Sequence, residues 1–478
     1  MPFRLPIDCI DDIFENLDKR SLHSCLLVSR FWSEVSVRIL WRDFLNYYPK
    51  FRFSSRYLSI LVACLPKESK DLLHEKNILI PTPTSKPPRF NYLSYCKILS
   101  IKSLDQLLID VLSSPSQGTL QQEQDLINNI RLVSQEILKE FFKQTFHIKE
   151  LTYCGSSMGG EKYISNIAFP EAMDRLTDLS ILSCNSGIPS EFFYQLTQVC
   201  STIQSLEISL EKSISGGLKE LIIAQRNLKS FTIRNNTEAN VEILIPSLAK
   251  HSNTIIKLNI YEAYVSYPMS SIAAFTNLQE LTVLRIGTPT VLPDVTYPRL
   301  QSLNLDGCNL PSTKFLENNG KNLQFLHTYE SDESLILAIA RFCPNLRSIY
   351  ARFRSNPTGL ESLKTLLINC QQLEEIIVYC GGDYLNEDDL LDYFASYSSK
   401  NVYRLHVRYE GELRSELSPA VLERFFTTWT NRMPQKSLSL ITEGFHCSHK
   451  RTMVIKRDTL QVFMKYSKLG VIDVHRSL

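Results

Sequence analysis

Leu323-Gln-Phe-Leu326-His-Thr328, Leu346-Arg-Ser-Ile349-Tyr-Ala351 and Leu373-Glu-Glu-Ile376-Ile-Val378 repeat one pattern, with anchors at i, i+3 and i+5. The last two anchors fall on one side of a strand, because strand side chains alternate between faces. Working outward, the pattern recurs as Ile148/Leu151/Tyr153, Leu176/Leu179/Ile181, Ile203/Leu206/Ile208, Leu228/Phe231/Ile233, Ile255/Leu258/Ile260, Leu278/Leu281/Val283, Leu300/Leu303/Leu305 and Val402/Leu405/Val407. A degenerate last copy keeps Leu438/Leu440, and successive copies start 22 to 33 residues apart. One such triplet is weak evidence, since about ten would arise by chance in a chain this apolar. The even separation decides the matter, together with the helical periodicity in the gaps at Ser190–Val199, Leu335–Phe342, Leu360–Ile368 and Asp388–Tyr397. Three of these helices end in a cysteine three residues before the next triplet, at Cys200, Cys343 and Cys370. Cys184 and Cys308 share another register, eight residues past their triplet starts.

A strand followed by a helix at this period is the signature of leucine-rich repeats. One unit cannot bury its own apolar edge, so neighbours stack into a solenoid with parallel strands on the concave face and helices outside. The expected fold class is α/β. The solenoid should occupy 148–445, with a C-terminal cap at 446–478. Imperfect triplets at Leu93/Cys96/Ile98 and Ile127/Ile130/Leu132 read as irregular opening repeats over 93–147, because terminal repeats are atypical. Residues between the anchors should face the open concave side. Early strands place Thr152, Ser180, Glu207 and Thr232 there. Later strands place His327, Tyr329, Tyr350, Arg352, Ile377, Tyr379, Arg404, His406 and Arg408. Aromatic side chains with arginine make up interaction hot spots. The candidate target-binding residues are therefore His327, Tyr329, Tyr350, Arg352, Tyr379, Arg404, His406 and Arg408. Their cationic content suits an acidic or phosphorylated segment.

The first 45 residues are organised differently. Pro6 suits a first helical turn, and Ile10, Ile13, Phe14 and Leu17 follow at i, i+3, i+4, i+7. Ser21 is positioned to cap a second helix carrying Leu22, Cys25 and Leu26. A third helix runs from about Phe31 with Trp32, Val35 and Ile39 on one side. A piece of ~40 residues rarely holds together without a staple or a partner, and Leu5, Ile7, Leu27, Leu40 and Trp41 remain as surplus apolar groups. Residues 46–92 read as a connector: a helix near Tyr57–Leu65 stopped by Pro66, then Pro81, Pro83, Pro87 and Pro88 in extended chain. Pro115-Ser-Gln-Gly118 punctuates the chain again.

The opening stretch resembles the F-box. The matching residues are Leu5-Pro6-x-Asp8, Ile13-Phe14-x-x-Leu17, Leu22-x-x-Cys25-x-Leu27-Val28-Ser29-Arg30-x-Trp32 and Leu40-Trp41, within about residues 3–45. Asp8 departs from the family's more frequent glutamate. The resemblance implies a three-helix module that docks on a Skp-type adaptor, and through it on a cullin. Its adaptor-binding positions would be Leu5, Pro6, Asp8, Ile13, Phe14, Leu17, Leu22, Val28, Trp32, Leu40 and Trp41. It further implies a substrate receptor of a ubiquitin ligase whose repeats hold a target protein, in cytoplasm, nucleus or both. A non-degradative repeat scaffold is the alternative reading, and an enzyme hidden in the solenoid is a third.

Composition agrees with a globular protein. The chain has 478 residues, 44% hydrophobic and 21% charged, with a formal net charge of +2. This length allows two to four domains, and the charge offers no bulk attraction to nucleic acid or membrane. Met1-Pro2-Phe3-Arg4 has no signal-peptide pattern, and the apolar run Ile60–Leu65 is too short to span a bilayer. Twelve cysteines without paired spacing suit reduced thiols. From Pro434 onward eight Lys/Arg stand against three Asp/Glu, which reads as a solvated face on the cap.

Motifs of chemistry are missing: no P-loop, dinucleotide fingerprint, zincin pair or nucleophile elbow occurs. Gly155-Ser-Ser-Met-Gly159-Gly160 lacks a following Lys-Ser/Thr and reads as a turn. His446-Cys447-x-His449 has no partner pair for zinc. Asn235-Asn236-Thr237 fits a glycosylation acceptor, which means little in an intracellular protein. No catalytic residue, metal or cofactor is expected.

Overall fold

The structure, a computed structural model, describes residues 6–45, 54–82, 88–113, 120–153, 170–211, 213–235, 244–262, 269–285, 292, 294–306, 311–328, 332–410, 418–432, 436–445 and 457–475. Leu5, Tyr329, Cys308, Pro115–Gly118, Gly155–Gly160 and His446–His449 lie outside them. The chain divides into two compact units, Met1–Lys229 and Ser230–Leu478.

The first unit opens with α1 (Ile7–Glu15), α2 (Lys19–Cys25) and α3 (Arg30–Trp41). Asp18, rather than Ser21, caps α2: its carboxylate accepts the Ser21 amide at 2.7 Å. An N-cap acceptor belongs one residue ahead of the first helical turn, where Asp18 stands. Ser29 caps α3 in the same way, accepting from the Trp32 amide at 3.2 Å. Helix α4 (Ser54–Ala63) stops before Pro66, which leads into α5 (Lys67–Glu75). There follow β1 (Ile98–Ser100), α6 (Ile101–Leu112), α7 (Leu120–Gln144), β2 (Glu150–Tyr153), α8 (Pro170–Arg175), β3 (Ile181–Asn185), α9 (Ser190–Val199), β4 (Ser205–Leu210) and α10 (Gly216–Ala224).

Strands β1 to β4 are parallel, and Leu99, Leu151, Leu182 and Leu206 lie opposite one another in succession. That register moves two expected triplets by three residues. The anchors of β1 are Cys96, Leu99 and Ile101, and those of β3 are Leu179, Leu182 and Cys184, all buried. Leu176, Leu179 and Leu182 offer two equivalent frames in sequence, and pairing with Leu151 selects one. Ile181 is consequently exposed, and Ser183, not Ser180, pairs with Thr152 and Glu207. Ile127, Ile130 and Leu132 belong to no strand. They lie within the 25-residue helix α7; Ile127 and Ile130, three residues apart, share its buried face, while Leu132, five residues on, falls beside it and is half-buried.

The second unit holds β5 (Ser230–Asn235), α11 (Ile245–Ala249), β6 (Lys257–Glu262), β7 (Glu280–Arg285), β8 (Ser302–Asp306), α12 (Thr313–Asn319), β9 (Phe325–Thr328) and α13 (Glu333–Phe342). It continues through β10 (Ser348–Ala351), α14 (Pro357–Asn369), β11 (Glu375–Cys380), α15 (Glu387–Tyr397), β12 (Arg404–Glu410), α16 (Pro419–Thr430), β13 (Leu438–Phe445), α17 (Arg457–Lys468) and β14 (Ile472–His475). Its strands pair in chain order, all parallel. Residues 446–478, expected as a cap, thus contribute a helix and a further strand paired with β13.

Two devices hold successive repeats together. Cys343 and Cys370 terminate α13 and α14 as buried thiols, and Cys370 Sγ donates to the Cys343 carbonyl at 3.5 Å. Burial pushes the Cys370 thiol up to about 12, so these groups act as small apolar fillers. Where α12 ends without cysteine, buried Asn319 substitutes, accepting the Tyr297 amide at 2.6 Å and donating to Phe315 and Val295. The second device is a rung of asparagines just before the first anchors. Asn277, Asn322, Asn345 and Asn401 each donate a side-chain N–H to a carbonyl of the preceding repeat, at 2.7 to 3.0 Å.

Candidate functional site

Helices α1 to α3 enclose a small core. Ile10, Phe14, Leu22, Cys25 and Val35 are buried together, with Leu17, Trp32, Ile39 and Leu40 packed against them. The rings of Phe14 and Trp32 meet edge to face at 5.1 Å. Arg42 clamps Glu15 through two bonds of 2.6 and 2.8 Å, and Arg38 pairs with Asp11. The hydrogen bond from Arg42 holds the Glu15 carboxyl below its usual range. Trp41 is buried against Phe44 and Tyr92 at ring distances of 4.8 and 4.4 Å. The Arg42 carbonyl accepts the amides of Lys97 and Ile98, which ties the end of α3 to the start of β1.

This placement divides the eleven candidate adaptor residues. Phe14 and Leu22 are interior, because a module of three short helices must spend large apolar side chains on its own core, and Trp41 is buried outside that core, against Phe44 and Tyr92. Phe14 is 2% exposed. Leu17, Trp32 and Leu40 are half-buried, while Pro6 and Asp8 are exposed. Ile13 is 49% exposed, Val28 60% and Leu27 89%; Phe31 joins them as an exposed large apolar group. Leu27, Val28 and Phe31 cluster around the turn from α2 to α3. Clusters of this kind mark interaction sites, whereas scattered single residues need no explanation.

The second candidate surface lies on β9 to β12. Register sets His327 beside Tyr350, Tyr350 beside Ile377, Ile377 beside His406, and Tyr379 beside Arg408. Tyr350 and Tyr379 are only 2% and 3% exposed, and with Ile377 they form a cluster of their own. His406 is buried too. The alternation of faces holds, but these rings do not project freely. Parallel strands lie ~4.8 Å apart, so large side chains on adjacent rungs cover one another. The Tyr350 and Tyr379 rings meet at 5.7 Å, and His327 lies 6.0 Å from Tyr350. A turn at Gly381 and Gly382, both in the left-handed region, returns the chain over the cluster. It sets Tyr384 at 6.0 Å from Tyr379 and bonds it to Arg352 Nη1 at 2.9 Å.

Arginines lie on this aromatic layer. Arg352 sits 4.4 Å from the Tyr379 ring centre, and Arg408 sits 5.3 Å from that of Tyr350. Arg404 pairs with Glu375 at 3.2 Å, and Glu375 also accepts from Ser348. Arg352, Arg404, Arg408 and His327 keep partial exposure. Burial outweighs the attraction of Glu375 and depresses His327 below its ordinary value. What this face presents is cationic, with the tyrosines as its floor. Tyr384 is the contributor that repeat periodicity misses; only the paired glycines before it signal the turn.

Among the described residues no three His, Cys, Asp or Glu side chains gather to hold a metal ion. No described helix is long and apolar enough to cross a membrane.

The geometry defines a small helical module with outward apolar groups, carried on a protein of stacked leucine-rich repeats. A family model described as F-box-like matches residues 3–46, so the chain carries an F-box-like domain at its N-terminus. No curated protein matches the chain. Among solved structures, that of the Rad7–Elc1 complex in yeast is similar at 13% identity and a TM-score of 0.42, covering 95% of this chain and 99% of that one. The leucine-rich repeat-containing protein LegL7 from Legionella pneumophila is 12% identical with a TM-score of 0.33, over 69% and 93% of the two chains. The Toll–Spatzle complex of Drosophila is 12% identical with a TM-score of 0.36, over 65% and 42%.

Proposed function

We propose that the chain is the substrate-recognition subunit of a Skp–cullin–F-box ubiquitin ligase. The F-box-like domain docks on a Skp-type adaptor, and through it on a cullin, by way of Ile13, Leu27, Val28 and Phe31 with Pro6 and Asp8 beside them. Leu17, Trp32 and Leu40 back that surface, Phe14 and Leu22 set its shape from within, and Trp41 anchors the end of α3 against Phe44 and Tyr92. The face built on β9 to β12 holds the target protein, with His327, Arg352, Arg404 and Arg408 meeting an acidic or phosphorylated segment. Guanidinium groups laid on tyrosine faces are pre-organised for such a partner. The chain itself makes no bond. It converts an encounter between target and ubiquitin donor into an intramolecular event.

One observation carries this reading: a domain matching the F-box-like model closes its own core yet leaves Leu27 and Val28 in solvent. Co-purification of the full chain with a recombinant Skp-type adaptor tests it. A stable complex is expected, and Leu27→Glu with Val28→Glu should abolish it while the fold persists. Accumulation of a bound target after deletion of residues 1–45 separates a degradative receptor from a non-degradative scaffold.

A further inference from the structure

The second unit carries a groove of about 570 Å³ at the leading edge of β7 to β10. Its floor is a ladder formed by the residue after each first anchor: Gln279, Gln301, Gln324 and Arg347. Their backbones are successive rungs, since each amide donates to the carbonyl of the residue before it in the ladder, at 2.9, 2.8 and 2.7 Å. Arg299 and Lys321, both exposed, also line it. Among the described residues, the side-chain amides of the three glutamines make no hydrogen bond, and Arg299 and Lys321 form no ion pair. Arg347 meets Glu374 only at 3.8 Å, between exposed side chains, a contact worth little.

We infer that this groove is a binding site for an acidic peptide in extended conformation. A glutamine amide both donates and accepts, which suits the N–H and C=O groups of a second polypeptide main chain. Three cations alongside suit carboxylates on that peptide. Among the described residues none that lines the groove is aromatic, so these offer no stacking platform of the kind single-stranded nucleic acid uses. This inference stands on the groove alone. It does not depend on adaptor binding, and its residues differ from those of the β9–β12 face.

Fluorescence anisotropy of the full chain with a labelled oligoglutamate peptide tests it. Saturable binding is expected at ~0.1 M salt and should be lost near 1 M, where charges are screened within about 3 Å. Reversing Arg299→Glu with Lys321→Glu should weaken it about tenfold, since two exposed ion pairs turn into repulsions. The control pair Lys400→Glu with Lys468→Glu changes net charge equally and should leave binding intact. Gln301→Ala with Gln324→Ala, which removes no charge, should weaken it by a smaller factor. Unchanged thermal melts keep each variant interpretable. Equal weakening by both charge-reversed pairs, absence of saturable binding, or tighter binding of an oligothymidylate of equal length would each overturn the proposal.

Discussion

The F-box-like helices and the β9–β12 face carry aromatic and apolar residues of similar kind and use them in opposite ways. In the helical module, Phe14 and Leu22 go inside and Leu27 and Val28 stay in water. On the strand face, Tyr350 and Tyr379 are buried and arginines cover them. The difference follows from geometry. Three short helices have too little interior for all their apolar groups, and the surplus emerges at a turn. Stacked parallel strands bring rungs within ~4.8 Å, so neighbouring large rings shield one another without help. An exposed leucine in the first region therefore speaks for a partner, whereas a tyrosine in the second speaks first for stability.

Truncating a ring should break this contrast most visibly. Tyr350→Ala should lower unfolding free energy by about 3–5 kcal/mol, the usual cost of deleting a buried large aromatic group. Leu27→Ala should change stability by under about 0.5 kcal/mol. Comparable losses in denaturant titrations would erase the distinction. Next in size, Leu27→Glu with Val28→Glu should weaken adaptor capture by ~2 kcal/mol or more in calorimetry, as expected for hot-spot anchors. Phe14→Ala should instead melt the module. Removing one rung by Asn345→Ala should cost about 1 kcal/mol, the net worth of one hydrogen bond, readable as a shifted melting midpoint.

The smallest effects concern pH. His327 has a depressed value in the fold, so below about 6.5, its ordinary value, the unfolded chain binds more protons. Its contribution is complete above that point and declines as pH falls toward the folded value. His327→Gln should flatten that part of the stability profile. Glu15 is likewise depressed, through Arg42, and its contribution should fade only as pH falls below about 4.5. Because both partners are well exposed, the effect should be slight and sensitive to salt.

Much was legible from residue order. The anchors of β2 and of β4 to β12 stand where triplet spacing puts them, because a buried strand face demands apolar groups at i+3 and i+5 whatever surrounds it. Helices α9, α13, α14 and α15 follow from their own periodicity, and the cysteines that end the first three, Cys200, Cys343 and Cys370, occupy the buried sites that spacing assigns. The opening motif was equally plain, since Leu-Pro-x-Asp and Val-Ser-Arg-x-Trp are local strings. Tertiary structure decided the rest. Leu176, Leu179 and Leu182 admit two frames, and only pairing with β2 chooses between them. Ile127 and Ile130 fit a helix as well as a strand, and a long helix won. Which F-box residues face water, and that Tyr350 and Tyr379 do not, depends on neighbours distant in sequence. Burial is a property of what packs on a residue, and a linear pattern records only which residues require it.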